Sequence, residues 1–263
     1  MTAVIAQEKS AEESSAVRHE GDFTLTVIGQ STQELPATDW PAMHTVRIRP
    51  YEARDRDGVF QVAADTAFFG QPVETYLDDR RLFCHAFYSF YTDCEPEHAW
   101  VACVDDVVVG FLVGCVDGAR QRRVWLKAIL PRVARGLLLG EYRIGARTWR
   151  YALRRGGAAL QRRPHVNMQN YPAHLHLNVA SEWRREGIGR RLLLAFLEQM
   201  RSLGVKGVHA SSTDLNRHAG RLFESVGFRI ADSRPTCQWS GLVSARVSKV
   251  CYVLQLNASG GSN

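Results

Sequence analysis

Apolar residues return along this chain in two rhythms, and the switches between them mark out its elements. From Thr45 to Tyr51 (TVRIRPY) apolar and polar positions alternate, the period of a half-buried strand. In EARDRDGVFQVAADTAFF (52–69) the spacing lengthens and sets Val59, Val62, Ala63 and Phe68 on one side of a helix. Residues 72–93 continue as a second helical region rich in aromatics: Tyr76, Phe83, Phe87, Tyr88, Phe90 and Tyr91. Two strand-like runs, 98–104 and 107–116, flank Asp105-Asp106, a pair suited to a hairpin turn. AHLHLNVA (173–180) predicts the next strand. The helix that follows, 187–204, aligns Ile188, Leu192, Phe196 and Met200, and Gly204 is suited to end it. A short strand (207–212), a helix closed by Gly227 (216–228) and a last strand (249–256) complete the series. Strands and helices in this order predict one mixed α/β domain over 45–257, interrupted by a basic helical insert over 118–170. Residues 1–44, rich in Ser, Thr and Glu, read as a flexible leader with one strand-like run at 23–29, and 258–263 as a flexible tail.

Composition agrees with a water-soluble globular chain. Of 263 residues, 45% are hydrophobic and 23% charged, enough for a sizeable core. The greasiest region, 124–140, is cut by Lys127, Pro131, Arg132 and Arg135 and falls short of a membrane span. The first fifteen residues carry acids where a secretion signal needs basic and then apolar residues, so the expected location is cytoplasmic. Six scattered cysteines (84, 94, 103, 115, 237 and 251), with no CxxC pair, read as reduced and mostly buried thiols.

Charge is unevenly spread. Residues 119–163 hold twelve arginines and a lysine against Glu141 alone, whereas the whole chain is only +6. Apolar and basic positions interleave there at helical spacing. Such a helix can lie on an anionic membrane or hold nucleic acid. No motif that reads nucleic acid accompanies it, so the reading preferred is a cap on the domain near an acceptor's entrance. An acidic acceptor or a second copy of the chain is then the expected partner.

The stretch EWRREGIGRR (182–191) packs four arginines and two glycines into a strand-to-helix junction. Amides at a helix start have no partner within the helix, and glycines let them converge on an anion. A dinucleotide fingerprint would need a third glycine where Leu192 stands, and a P-loop would need Gly-Lys-Ser/Thr. What remains is a phosphate cradle of another kind.

Arg184-x-x-Gly187-x-Gly189 resembles the R/Q-x-x-G-x-G/A motif of the GNAT N-acetyltransferases. Asn216-x-x-Ala219-x-x-Leu222-Phe223-x-x-x-Gly227-Phe228 is similar to that family's N-x-x-A-x-x-L-Y-x-x-x-G-F. The resemblance covers about 45–117 and 171–256. More narrowly, YPAHLHLNV and GVKGVH resemble bacterial GNAT proteins related to the acetyltransferase-like domain that accompanies some O-GlcNAcases. The resemblance implies the α/β GNAT fold: a mixed central sheet with splayed parallel strands and helices on both faces. It implies acetyl-CoA as cosubstrate, its pyrophosphate at Arg184, Arg185, Glu186, Gly187, Ile188, Gly189 and Arg190. The pantetheine arm would run along Leu177, Asn178 and Val179, with Asn216, Ala219 and Phe223 completing the cofactor site. Two acid/base groups of the family are missing. Phe223 replaces the tyrosine that protonates the leaving thiolate, and Ser211 stands where some members have a glutamate base.

Histidine is the natural substitute base near neutral pH. His174 and His176 share one face of the strand that feeds the loop, and His209 sits on the next strand. His176 lies nearest the expected thioester; His174 and His209 are equally readable as structural, and Glu95, Glu97 and His98 are weaker alternatives. Three histidines could also bind zinc, but no carboxylate or cysteine stands at a metal spacing, so no metal is expected. Two functions follow: an N-acyltransferase acting on an amine, or a non-catalytic acyl-CoA-binding or interaction module on the same fold.

Overall fold

The computed structural model describes residues 45–256. The leader, its strand-like run at 23–29 and the tail fall outside the described residues. Seven strands form one sheet in the order β1-β2-β3-β4-β5-β7-β6. They are β1 (Arg47–Pro50), β2 (Ala99–Val104), β3 (Val107–Cys115), β4 (Ala173–Val179), β5 (Gly207–Thr213), β6 (Arg229–Thr236) and β7 (Val247–Gln255). Every adjacent pair is antiparallel except β4 and β5.

Helices cover both faces, as expected. On one face lie α1 (Arg56–Asp65) and α2 (Arg80–Phe87), burying Val59, Val62 and Phe83 against Val101, Phe111 and Val113. On the other lie α6 (Ile188–Ser202) and α7 (Arg217–Ser225). The α6 stripe Ile188, Leu192, Phe196 and Met200 is fully buried there, as its 3.6-residue spacing requires. Gly114 makes that packing possible, because a Cβ on it would sit 2.2 Å from the Phe196 ring. Asp105 and Asp106 both take positive φ (47° and 62°) in the β2–β3 hairpin, the conformation their side chains tolerate.

The insert is three helices: α3 (Gly118–Val124), α4 (Leu130–Leu138) and α5 (Ala146–Ala159), the first two joined by a π turn at Trp125–Ile129. Strand β6 departs from the sequence-based expectation, which placed none at 229–236. Its residues are mostly exposed and include Pro235, and it pairs only with β7. An edge strand needs no buried face and so shows no alternation. All six cysteines are free, four of them buried.

Candidate active site

The site is made where β4 and β5 part. Their ladder holds for three pairs, Ala173–Val208, His174–His209 and Leu175–Ala210, and then stops. Beyond it β4 stays on β3 as far as Val179–Gly110, while β5 stays on β7 as far as Thr213–Lys249. Ala180 gives its N–H to the Val109 carbonyl on the β3 side. Alternation along the strand therefore turns the backbone groups of Leu177 and Val179 toward the edge that β5 has left. Arg184 Nε donates to the Val179 carbonyl at that edge (3.0 Å).

At the end of the open edge the loop 184–187 is exposed and leads into α6. Arg185 and Gly187 both have positive φ (72° and 70°). Gly187 has open space around it and is required for its backbone alone. Gly189 is required for contact, since a Cβ there would lie 3.2 Å from Leu222 and 3.5 Å from Leu177. Arg191 N–H makes the first bond back to the Gly187 carbonyl, which leaves the preceding amides of the turn for a ligand. Ile188 is buried in the core, so only its backbone can serve this site; Glu186 and Arg190 are exposed beside it. Asn216 caps α7 by accepting the Ala219 N–H (3.2 Å). The Asn178 side chain is turned away to donate to Thr66 Oγ1 (2.6 Å), tying β4 to α1.

The gap opens into a cleft of about 380 Å3. His176, Ser211 and Lys249 stand on its sheet wall, Ala219 and Phe223 on the α7 side, and Tyr76, Phe87 and Tyr88 opposite. The aromatic stretch thus divides: these rings line the cleft while Phe90 and Tyr91 are core. Tyr151 and Arg155 of α5 also line it, so the insert contributes to the cleft.

The three histidines adjoin but differ in role. His176 faces the cleft and packs on the Tyr88 and Tyr91 rings (6.2 and 5.5 Å between centroids). Desolvation by these surroundings, helped by Lys249 and His209, pushes its pKa down to about 4, although part of its ring meets open space. Behind it, His174 Nε2 meets Tyr91 Oη at 2.8 Å. Gln121 Nε2 donates to the same hydroxyl (2.7 Å), so the tyrosine proton goes to a neutral His174. Burial lowers the His174 pKa to about 3, aided by the two other histidines. His209 Nδ1 lies 2.8 Å from the Tyr171 carbonyl, which accepts its proton, and burial lowers its pKa too. His174 and His209 therefore hold the strands, and His176 alone of the three lines the cleft. Among the described residues no group of three or more His, Cys, Asp or Glu side chains could hold a metal. Glu95, fully buried, is committed to Arg120 Nη1 (2.5 Å), and Glu97 is exposed.

The aromatic stretch 76–91, Tyr88 included, was a candidate lining from the sequence, whereas sequence reasoning missed Tyr151, Arg155, Trp239 and Lys249, which come from three separate segments. Burial holds the Tyr88 hydroxyl well above its ordinary pKa, and that hydroxyl has no hydrogen-bond partner among the described residues. No helix among the described residues is long and apolar enough to cross a membrane.

Comparison with known proteins agrees with this geometry. The sequence profile of the acetyltransferase (GNAT) family matches residues 155–228, from the end of α5 through the loop, α6, β5 and α7. A mycothiol acetyltransferase of Nocardiopsis dassonvillei is 40% identical over 57 residues, which is 22% of this chain and only 17% of that protein. A crystal structure described as SsHAT is 27% identical, covers 79% of this chain and 97% of its own, and superposes with a TM-score of 0.61. A polyamine N-acetyltransferase of Drosophila melanogaster shares the fold at 16% identity, with 81% and 100% covered and a TM-score of 0.51. With the profile running through the phosphate loop, and the sheet parting just before it, the segment 155–228 matches the GNAT acetyltransferase family.

Proposed function

We propose that this protein transfers an acetyl group from acetyl-CoA to an amine of a small molecule, by direct attack of the amine nitrogen on the thioester. The observation that carries this reading is the parting of β4 from β5 after Leu175, which leaves a cleft beside the start of α6. The free amides at the start of α6 would bind the pyrophosphate, with Arg185 and Arg190 adding charge. Backbone groups of Leu177 and Val179 would pair with the amides of the pantetheine arm in place of β5. The thioester would then lie beside His176.

The amine lone pair attacks the carbonyl carbon, the carbon–sulfur bond breaks, and the sulfur leaves with the bonding electrons as a thiolate. The nitrogen must lose one proton and the thiolate gains one. His176, neutral at physiological pH, accepts the first, directly or through one water. The Tyr88 hydroxyl supplies the second in place of the absent tyrosine at 223. A thiolate is an easy leaving group, its conjugate acid titrating near ~8.5, so a modest donor suffices.

Calorimetric titration with acetyl-CoA tests the cofactor half of this reading. The wild type should bind with a dissociation constant on the order of micromolar, about −8 kcal/mol. Gly187→Asp keeps a residue that tolerates positive φ but sets a carboxylate against the phosphates, and should abolish binding. Absence of binding by the wild type removes the transferase and leaves an interaction module.

A further inference from the structure

Among the described residues two cations line the cleft, Arg155 and Lys249, and no carboxylate lines it with them. Lys249 is half-buried, and neither residue has an ion-pair partner among the described residues. The charges nearest Lys249 are of its own sign, Arg155 and Arg163, and they join desolvation in lowering its pKa. A desolvated cation among like charges is costly, and a fold that keeps one in a cleft gains when an anion arrives. Lining the same cleft is a wall of rings packed tilted and edge-on. Tyr76 meets Tyr151 at 4.6 Å and Trp239 at 5.4 Å between centroids, and Tyr151 meets Trp239 at 5.9 Å. Such a wall receives a flat apolar group.

Resting on the acetyl-transfer reading above, we infer that the acceptor is an aromatic amine that also carries a carboxylate, the carboxylate seated on Lys249 and Arg155 and the ring on Tyr76, Tyr151 and Trp239. The same field acts on the nucleophile. Positive charge without a nearby acid disfavours an ammonium, so it favours the neutral amine that attacks the thioester and repels polyamines. A zwitterion enters because its own carboxylate offsets its ammonium.

The full-length protein is assayed for thiol release from acetyl-CoA with L-phenylalanine and L-tryptophan, each beside its decarboxylated twin, phenethylamine or tryptamine, and with spermidine. The amino acids should exceed their twins in kcat/KM by on the order of ten- to a hundred-fold, the range for a hydrogen-bonded charge pair. Spermidine should be the poorest acceptor. Lys249→Met should erase most of that preference through KM while leaving acetyl-CoA affinity unchanged. Arg155→Gln, at an exposed position, should reduce it in part and serves if the first variant does not fold. Equal or better turnover of the twins overturns the inference. So does a preference that survives in both variants. Loss of acetyl-CoA affinity in Lys249→Met overturns it by assigning the cation to the cofactor. Saturable acetyl-CoA binding with no turnover of any probe overturns the acceptor class alone, whereas no acetyl-CoA binding overturns the reading beneath it.

Discussion

Phe223 packs between Phe228 and Tyr252, 5.3 Å from each ring centroid, and carries no proton for a departing thiolate. The hydroxyl that opens on the same cleft is Tyr88, which closes the C-terminus of α2 and stacks edge-on against His176. Burial keeps that hydroxyl protonated, the state a donor needs. Tyr88→Phe removes one oxygen and keeps the ring packing. It should lower kcat by roughly ten- to a hundred-fold, below the usual range for a general acid because the thiolate is already stable. His176→Gln should lower kcat by about a hundred-fold or more, since among the described residues it removes the only histidine that lines the cleft. Neither change should move the dissociation constant of acetyl-CoA, read by calorimetry beside the steady-state rates. A loss of cofactor affinity equal to the loss of rate would make both residues parts of the cofactor site instead.

The basic insert acts on the site through its anchors. Its sequence suggests one face on the domain and the arginines in water, but several residues of the insert are tied to acids of the domain, one of which is fully buried. Arg120 reaches Glu95, Arg132 reaches Asp93 at 3.5 Å, and the Asp78 carboxylate accepts the Gly145 and Thr148 amides at the start of α5. Asp117 caps α3 by accepting from Ala119 and Arg120 N–H. Arg120→Met leaves the fully buried Glu95 with a long contact to Val116 N–H (3.4 Å) and His98 beside it. It should destabilise the protein by about 2 kcal/mol, less than the ~3–5 for breaking a wholly buried pair because Arg120 is itself half exposed. Adding Glu95→Gln should restore much of the loss, and urea midpoints read both. A double variant no better than the single would mean that packing, and not the stranded charge, carries the effect. These anchors also mark what was legible in the sequence. Amphipathic elements were, since α6 and β2–β3 must bury a periodic stripe. The loop at 184–189 was, since phosphate chemistry demands local glycines at fixed spacing. Lys249 and Tyr151 were not, because each looks ordinary in its own segment and gains meaning only where β7 and α5 meet at the cleft.

At the scale of the whole molecule, the parting of the sheet leaves a row of partly buried imidazoles beside a cation, and that arrangement sets how stability depends on pH. His174 meets His209 across the β4–β5 ladder at 5.5 Å between ring centroids and His176 along β4 at 5.9 Å, with Tyr91 above them and Lys249 nearby. In the folded chain His174 takes up a proton only near pH 3, whereas an unfolded histidine does so near ~6.5. Between those values the unfolded state binds the proton and the folded state does not, so stability falls as pH falls. Above pH 6.5 both states are neutral and the contribution is flat. Asp55, Asp79 and Asp93 have lowered pKa values, so their loss of stabilisation sets in only as pH falls into the ordinary aspartate range, near ~3.9, and leaves the interval from 6.5 to 5 to the histidines. Over that interval His174 alone should account for about 2 kcal/mol, at 1.36 kcal/mol per unit. His174→Asn keeps an acceptor for Tyr91 and removes the titration. Urea midpoints at pH 7.5 and 5.0 should therefore draw together in the variant relative to the wild type. An unchanged separation would mean that His174 accepts its proton in the folded state, and that the strands open at their ladder before the molecule unfolds.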